Sequence, residues 1–306
     1  MPRDRATPVA WVESPLQMIG AAEWARAHRT RVDVAGRLTT QVEETAAELT
    51  ARGAPFARQA GFYGIPWAML RGSDHWLVGD GFSGQFRLAA AILRPRSLTF
   101  LDDGLQAVSF ADALTGARAF SRPGAAEQGL ARRVAPVTMD LIRLRAAAGR
   151  VSMFTAFELG QERAHALRDL GARIEEHDFA WVRGTRAARP LPAGRVILGS
   201  ARVVDGLMPR EEYLEWIRAE ARAGGAVYVP HRREPRELVA EVGSIPRIRV
   251  VEPGLPIELV LAGDPTPREI VTLPSSAATT LRRVLRASEC VVVERGADAR
   301  VAEARG

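Results

Sequence analysis

Short apolar runs alternate with longer stretches of helical period along most of this chain, the pattern that βα units of a parallel sheet require. In the first half Val9–Val12, Arg31–Val34, Trp76–Val78, Leu98–Leu101 and Ser152–Thr155 read as strands. Stretches of 3.6-residue period at Leu16–Ala27, Thr40–Arg52, Gln85–Leu93 and Thr138–Ala148 separate several of them. The second half repeats the alternation with strands at Val196–Leu198, Ala226–Val229, Ile248–Val251 and Ile270–Leu273, and helices over Arg210–Ala223, Pro235–Val242 and Pro256–Ala262. Between the halves, Arg183–Gly194 carries two prolines, two glycines and three arginines, the composition of a linker. The pattern predicts an α/β protein with parallel sheets in two Rossmann-like domains, 1–186 and 187–306, the last helix packing back on the first.

Length agrees, since 306 residues exceed the usual single core. An apolar fraction of 47% excludes disordered and collagen-like chains. The sequence shows neither a run of about 18 apolar residues nor a signal-peptide pattern, so the expected location is the cytoplasm. The net charge of +6 could serve an anionic partner, but all 42 basic residues are arginines and they are scattered, as a GC-biased genome would produce. No nucleic-acid partner is expected. The single cysteine, Cys290, opens an apolar run and reads as a small buried hydrophobe.

Candidate chemistry collects at the ends of the apolar runs, where open parallel sheets bind ligands. Ser275 and Ser276 precede a helix-forming stretch, Ala277–Arg286. One of them suits an N-cap, and the same helix start suits a phosphate. His231 follows Pro230 at the end of a strand, beside Arg232, Arg233 and Glu234. A surface or packing histidine and a proton donor to phosphate are both open to it. Asp102, Asp103 and Gly104 end a strand, and so begin a turn, supply a base or hold a metal. A separate reading comes from Gly79 to Gly84, which fits G-x-G-x-x-G after a strand, with the two aspartates about 20 residues further on, as in a dinucleotide-binding oxidoreductase. A non-catalytic nucleotide-binding or scaffolding protein is a third reading.

Asp102-Asp103-Gly104, then Val229 to Glu234, Leu255 to Glu258 and Pro274 to Ser276, stand in an order that resembles bacterial sialyltransferases of glycosyltransferase family 52 and their polysialyltransferase-like relatives. The turn from Glu13 to Gln17 is similar to that family's first strand-to-helix turn. The resemblance implies a GT-B fold of two facing Rossmann-like domains, with CMP-sialic acid held mainly by the second. It implies inverting transfer to a hydroxyl of a cell-surface glycan, without a metal in the chemical step and without a cofactor. An acid before glycine would take the acceptor's proton, His231 would serve the departing phosphate, and Ser275 and Ser276 would hold it. Leu255, Pro256 and Glu258 would contact cytidine and ribose, with Gly104, Gly199, Pro230 and Arg232 completing the donor site. Ser14 and Gln17 would lie on the acceptor side, with the Gly79–Gly84 loop. Two departures stand out: Arg232 replaces the proline that usually follows the histidine, and Asp205-Gly206 is a second acid-glycine pair, although the Asp102-Asp103 pair is preferred. CMP-Kdo would fit the same donor chemistry. Contact with the inner membrane and a homodimer are left open.

Overall fold

The computed structural model describes residues 7–102, 104, 106–122, 124, 129–186 and 190–296. Two compact units divide the chain, Met1–Trp181 and Val182–Gly306. The division falls between Trp181 and Val182, ahead of the 186/187 boundary read from the sequence.

Among its described residues the first unit holds seven strands: β1 (Val9–Val12), β2 (Val32–Arg37), β3 (Phe56–Phe62), β4 (His75–Val78), β5 (Ser97–Leu101), β6 (Val151–Thr155) and β7 (Arg173–Glu176). They form one sheet in the order β3-β2-β1-β4-β5-β6-β7, every pair parallel. β1 and β6 are buried along their whole length, as strands covered by helices on both faces must be. Trp76 is fully buried in this core, its indole N–H satisfied by the carbonyls of Leu70 and Ser73.

In the second unit β8 (Arg195–Leu198), β9 (Ala226–Val229), β10 (Ile248–Val250), β11 (Glu269–Thr272) and β12 (Val291–Glu294) form a parallel sheet in the order β10-β9-β8-β11-β12. Its core centres on Ile197, Tyr213, Ile217, Tyr228 and Val271. Each sheet reverses its winding once, between β1 and β4 and between β8 and β11. Those are the positions where open α/β sheets form a ligand crevice.

Three strands escape the hydrophobic pattern. β3 buries only its terminal phenylalanines, β7 is Arg-Ile-Glu-Glu, and β12 lies half exposed at the opposite edge of its sheet from β10. Cys290, expected to be buried, is half exposed at the start of β12. The helix expected from Thr138 runs from Gly129 to Ala147 with Pro136 inside it. No helix among the described residues is long and apolar enough to cross a membrane.

Candidate functional site

The second unit presents its candidate groups from three neighbouring strands. Gly199 follows β8, His231 follows β9, and Ser275 follows β11. Because β8 lies between β9 and β11, the histidine and serine segments leave the same sheet edge about 10 Å apart, two ladder spacings.

His231 begins a clamped turn. The Glu234 N–H donates to the His231 carbonyl at 2.9 Å, while a Glu234 carboxyl oxygen, Oε2, accepts the His231 N–H at 2.6 Å. The Arg233 N–H donates to imidazole Nδ1 at 3.2 Å. With Nδ1 accepting, the neutral ring carries its proton on Nε2. Burial, and then Arg233 and Arg232, hold the His231 pKa below its ordinary value, against a smaller opposing pull from Asp205. The ring is therefore a neutral N–H donor until an anion arrives to favour its protonated form.

Beneath the turn, the second oxygen of Glu234 accepts the Tyr213 and Tyr228 hydroxyls at 2.8 and 2.5 Å. Burial pushes the Glu234 carboxyl above the usual carboxylate range. The Gly199 N–H donates to the Val229 carbonyl at 2.8 Å. A Cβ on Gly199 would stand 2.1 Å from Glu234 Oε2 and 2.5 Å from the His231 nitrogen. Only glycine leaves room there.

Asp205 comes close to this turn through Arg233. The guanidinium holds both carboxylate oxygens at 2.7 Å, and Gly206 next to it has φ +67°, a left-handed turn position. Arg232 is exposed and Pro230 half-buried. Glu258 is buried in the first turn of the helix Ile257–Leu261, after Pro256 and half-buried Leu255, and accepts the Thr280 hydroxyl at 2.7 Å. Thr280 belongs to the helix Ser276–Val284. Ser275 is the N-cap of that helix in extended conformation, yet its hydroxyl makes no capping hydrogen bond. The capping role considered for that serine is thus positional only.

In the first unit Asp102 departs from its expected role. It is fully buried, accepting the Ala156 N–H at 2.7 Å and bonding the ring of buried His177 at 2.9 Å, a ring stacked on Phe154 and Phe179. Such a carboxylate braces the ends of β5, β6 and β7. Asp103 lies outside the described residues, and Gly104 has φ +64°.

Gln17 also moves from the acceptor side to the framework. Buried to 1% exposure, it accepts the Glu13 N–H at 2.6 Å, and it lies where a Cβ on Gly79 would fall. Ser14 caps the helix Pro15–Ala27 by accepting the Gln17 N–H at 3.4 Å. Glu13, at the end of β1, is the group that sequence reasoning missed. Arg37 holds it at 2.7 Å, and its pKa is raised by burial foremost and then by Asp80, which itself pairs with Arg122. A strand-end acid at the winding reversal was the available signal.

The glycine loop after β4 is accounted for by packing. Gly79 makes way for Gln17, and Gly81 for Phe110. The Asp80 carboxylate accepts the Phe82 N–H at 2.9 Å, and the Ser83 hydroxyl caps the helix Gly84–Leu93. A dinucleotide fingerprint belongs after the first strand and offers its N–H groups to a pyrophosphate. Here the loop follows β4 and places a carboxylate among them, which removes the support for the oxidoreductase reading.

No family model matches the chain, and no curated protein matches its sequence. Solved structures resemble it at low identity. The α/β-galactoside α-2,3-sialyltransferase of Photobacterium phosphoreum superposes with a TM-score of 0.59 at 8% identity, over 96% of this chain and 92% of that one. S. aureus MnaA in complex with UDP gives 0.58 at 14% identity, over 98% and 82%. UDP-GlcNAc 2-epimerase from Neisseria meningitidis bound to UDP-GlcNAc gives 0.54 at 10% identity, over 97% and 85%. The two parallel-sheet α/β units thus have the GT-B fold.

Proposed function

We propose that this protein transfers a sugar from a nucleotide donor with inversion, and that the donor is CMP-sialic acid or another CMP-activated acidic sugar such as Kdo. The observation that carries the reading is the His231 turn: a neutral Nε2–H donor beside Arg232 and Arg233, on the same sheet edge as the start of the helix Ser276–Val284. A sialyltransferase shares the fold, and the order of motifs supports that donor class.

In this mechanism the acceptor oxygen bonds the anomeric carbon and passes its proton to a carboxylate. The bond from that carbon to the donor's phosphate oxygen breaks, and its electron pair leaves with CMP. The transition state resembles an oxocarbenium ion, so negative charge grows on the phosphate, where preorganised donors act most strongly. His231, the Ser275 and Ser276 hydroxyls and the free N–H groups of the helix start supply them, with Arg232 adding charge. Glu258, fixed by Thr280, accepts the ribose hydroxyls. Asp103 is the favoured base and Asp205 its rival, the latter having first to exchange its partner Arg233. The reaction has no metal in the chemical step and needs no cofactor. The enzyme acts from the cytoplasmic side, the first unit holding the glycan acceptor and the second the donor.

A second reading, action on a UDP-sugar, is favoured by the two similar structures that contain UDP or UDP-GlcNAc. Thermal shift with CMP, UDP and NAD separates the two. Stabilisation by CMP alone supports the first reading, and stabilisation by UDP alone replaces it. CMP release, persisting in excess chelator, should fall roughly 100-fold or more in Asp103→Asn and in His231→Ala. Unchanged turnover in Asp103→Asn, with loss in Asp205→Asn, would pass the base role to Asp205.

A further inference from the structure

Residues 231–234 form a turn whose second position is Arg232, where proline is favoured because its fixed φ pre-forms the turn. The resemblance to sialyltransferases expects proline there, and this chain lacks it. Something else must hold the backbone of His231. We infer that Glu234 is the positioning residue for His231: its carboxyl ties the His231 backbone to the buried tyrosine pair and thereby aims Nε2–H at the leaving phosphate. The inference rests on the proposed transfer reaction.

Three observations converge on it. Glu234 closes the turn at both ends, through its own N–H to the His231 carbonyl and through Oε2 from the His231 N–H. Its other oxygen is anchored by two hydroxyls, Tyr213 and Tyr228, on residues with no exposed surface. The Tyr213 hydroxyl in turn accepts the Ser200 N–H at 2.9 Å. One carboxyl thus joins the loop after β8, the helix Arg210–Ala223, β9 and the histidine turn. Gly199 is shaped to let it pass, since any Cβ would displace Oε2.

The three oxygens of Glu234 Oε1, Tyr213 and Tyr228 also stand within hydrogen-bond distance of one another, the two hydroxyls being 2.8 Å apart. Burial raises the Glu234 pKa, against the opposing pull of the Tyr228, His231, Tyr213 and Ser200 hydrogen bonds. Glu234 acts on His231 through its reach and its two acceptor oxygens. A glutamine of the same length can offer its carbonyl to the His231 N–H and its two amide hydrogens to the tyrosines.

The test compares Glu234→Gln, Glu234→Asp and Glu234→Ala, by kinetics of CMP release from CMP-sialic acid and by 15N-histidine spectra, with His231 assigned through His231→Gln. Withdrawing the reach should lower kcat by about tenfold or more in the alanine and aspartate variants, because small misplacements of a catalytic group are costly. KM should move less than about threefold, and Glu234→Gln should stay within about threefold of wild type in both. The wild-type and glutamine spectra should show Nε2 protonated with Nδ1 as acceptor, and the aspartate variant a mixture of both tautomers. Wild-type kcat in folded Glu234→Asp, or a loss in Glu234→Gln as large as in Glu234→Asp, overturns the inference. If Glu234→Ala does not fold, the aspartate and glutamine pair carries the decision. A wild-type protein that releases no CMP would end the transfer reading, while the histidine spectra, which need no turnover, still decide the role of Glu234.

Discussion

Single side chains in this protein are tuned mainly by being taken out of water. His75 is the clearest case: burial foremost, helped by His28, lowers its pKa to about 4, and its Nε2 bonds the Thr99 hydroxyl at 2.9 Å. Its folded pKa lies below the unfolded value of about 6.5, so the neutral ring's contribution is complete above that value. It is lost as pH falls from about 6.5 to about 4, because the unfolded chain takes up the proton first. The loss amounts to about 3 kcal/mol. Urea unfolding at about pH 7.5 and about pH 4 should show a difference smaller by that order in His75→Gln, and an identical difference in the variant would refute the assignment. The same desolvation explains what the sequence concealed at this scale. Glu234 was visible as the last letter of a motif, but its bond to a residue three positions back depends on Gly199 and two tyrosines brought in by folding. Asp102 and Gln17 looked available and are buried.

At the scale of elements, the site is made of strand ends and the helices that follow them. The Thr280 hydroxyl on Glu258 ties the helix Ile257–Leu261 to the helix Ser276–Val284, joining the groups proposed for ribose and phosphate. Thr280→Val keeps the shape and withdraws the donor, leaving a buried carboxylate oxygen unpaired at a cost of about 1–3 kcal/mol. Chemical denaturation should register that cost and calorimetry a weaker CMP affinity; unaltered affinity would detach Glu258 from the ribose. The strands that carry this site, β8, β9 and β11, were legible because strands buried on both faces are continuous apolar runs. β3 and β7 were not, since an edge strand buries little and its sequence has no reason to alternate; β12 lay in the apolar run after Cys290. The helix Gly129–Ala147 was legible only from Thr138 onward; ahead of it stands Pro136, a residue type that ordinarily marks a helix start or break.

For the whole molecule, the division into two units with separate sheets gives the proposed donor site an address. CMP should slow amide exchange in the segment from β8 to the helix Ser276–Val284, where bound ligand suppresses local opening. Protection confined to the first unit would move the donor site there. The two Rossmann-like units were legible from the order of apolar runs, whereas the GT-B fold and the CMP donor were implied by the resemblance, and the donor nucleotide still rests on it. Among the described residues neither sheet borrows a strand: β1 to β7 come from one continuous stretch of chain and β8 to β12 from the next. The N-terminal half can therefore complete every one of its ladders while the ribosome is still translating the remainder, since domains acquire structure as units during synthesis. That vectorial order keeps the long parallel pairings of the two halves from competing for one another's edges.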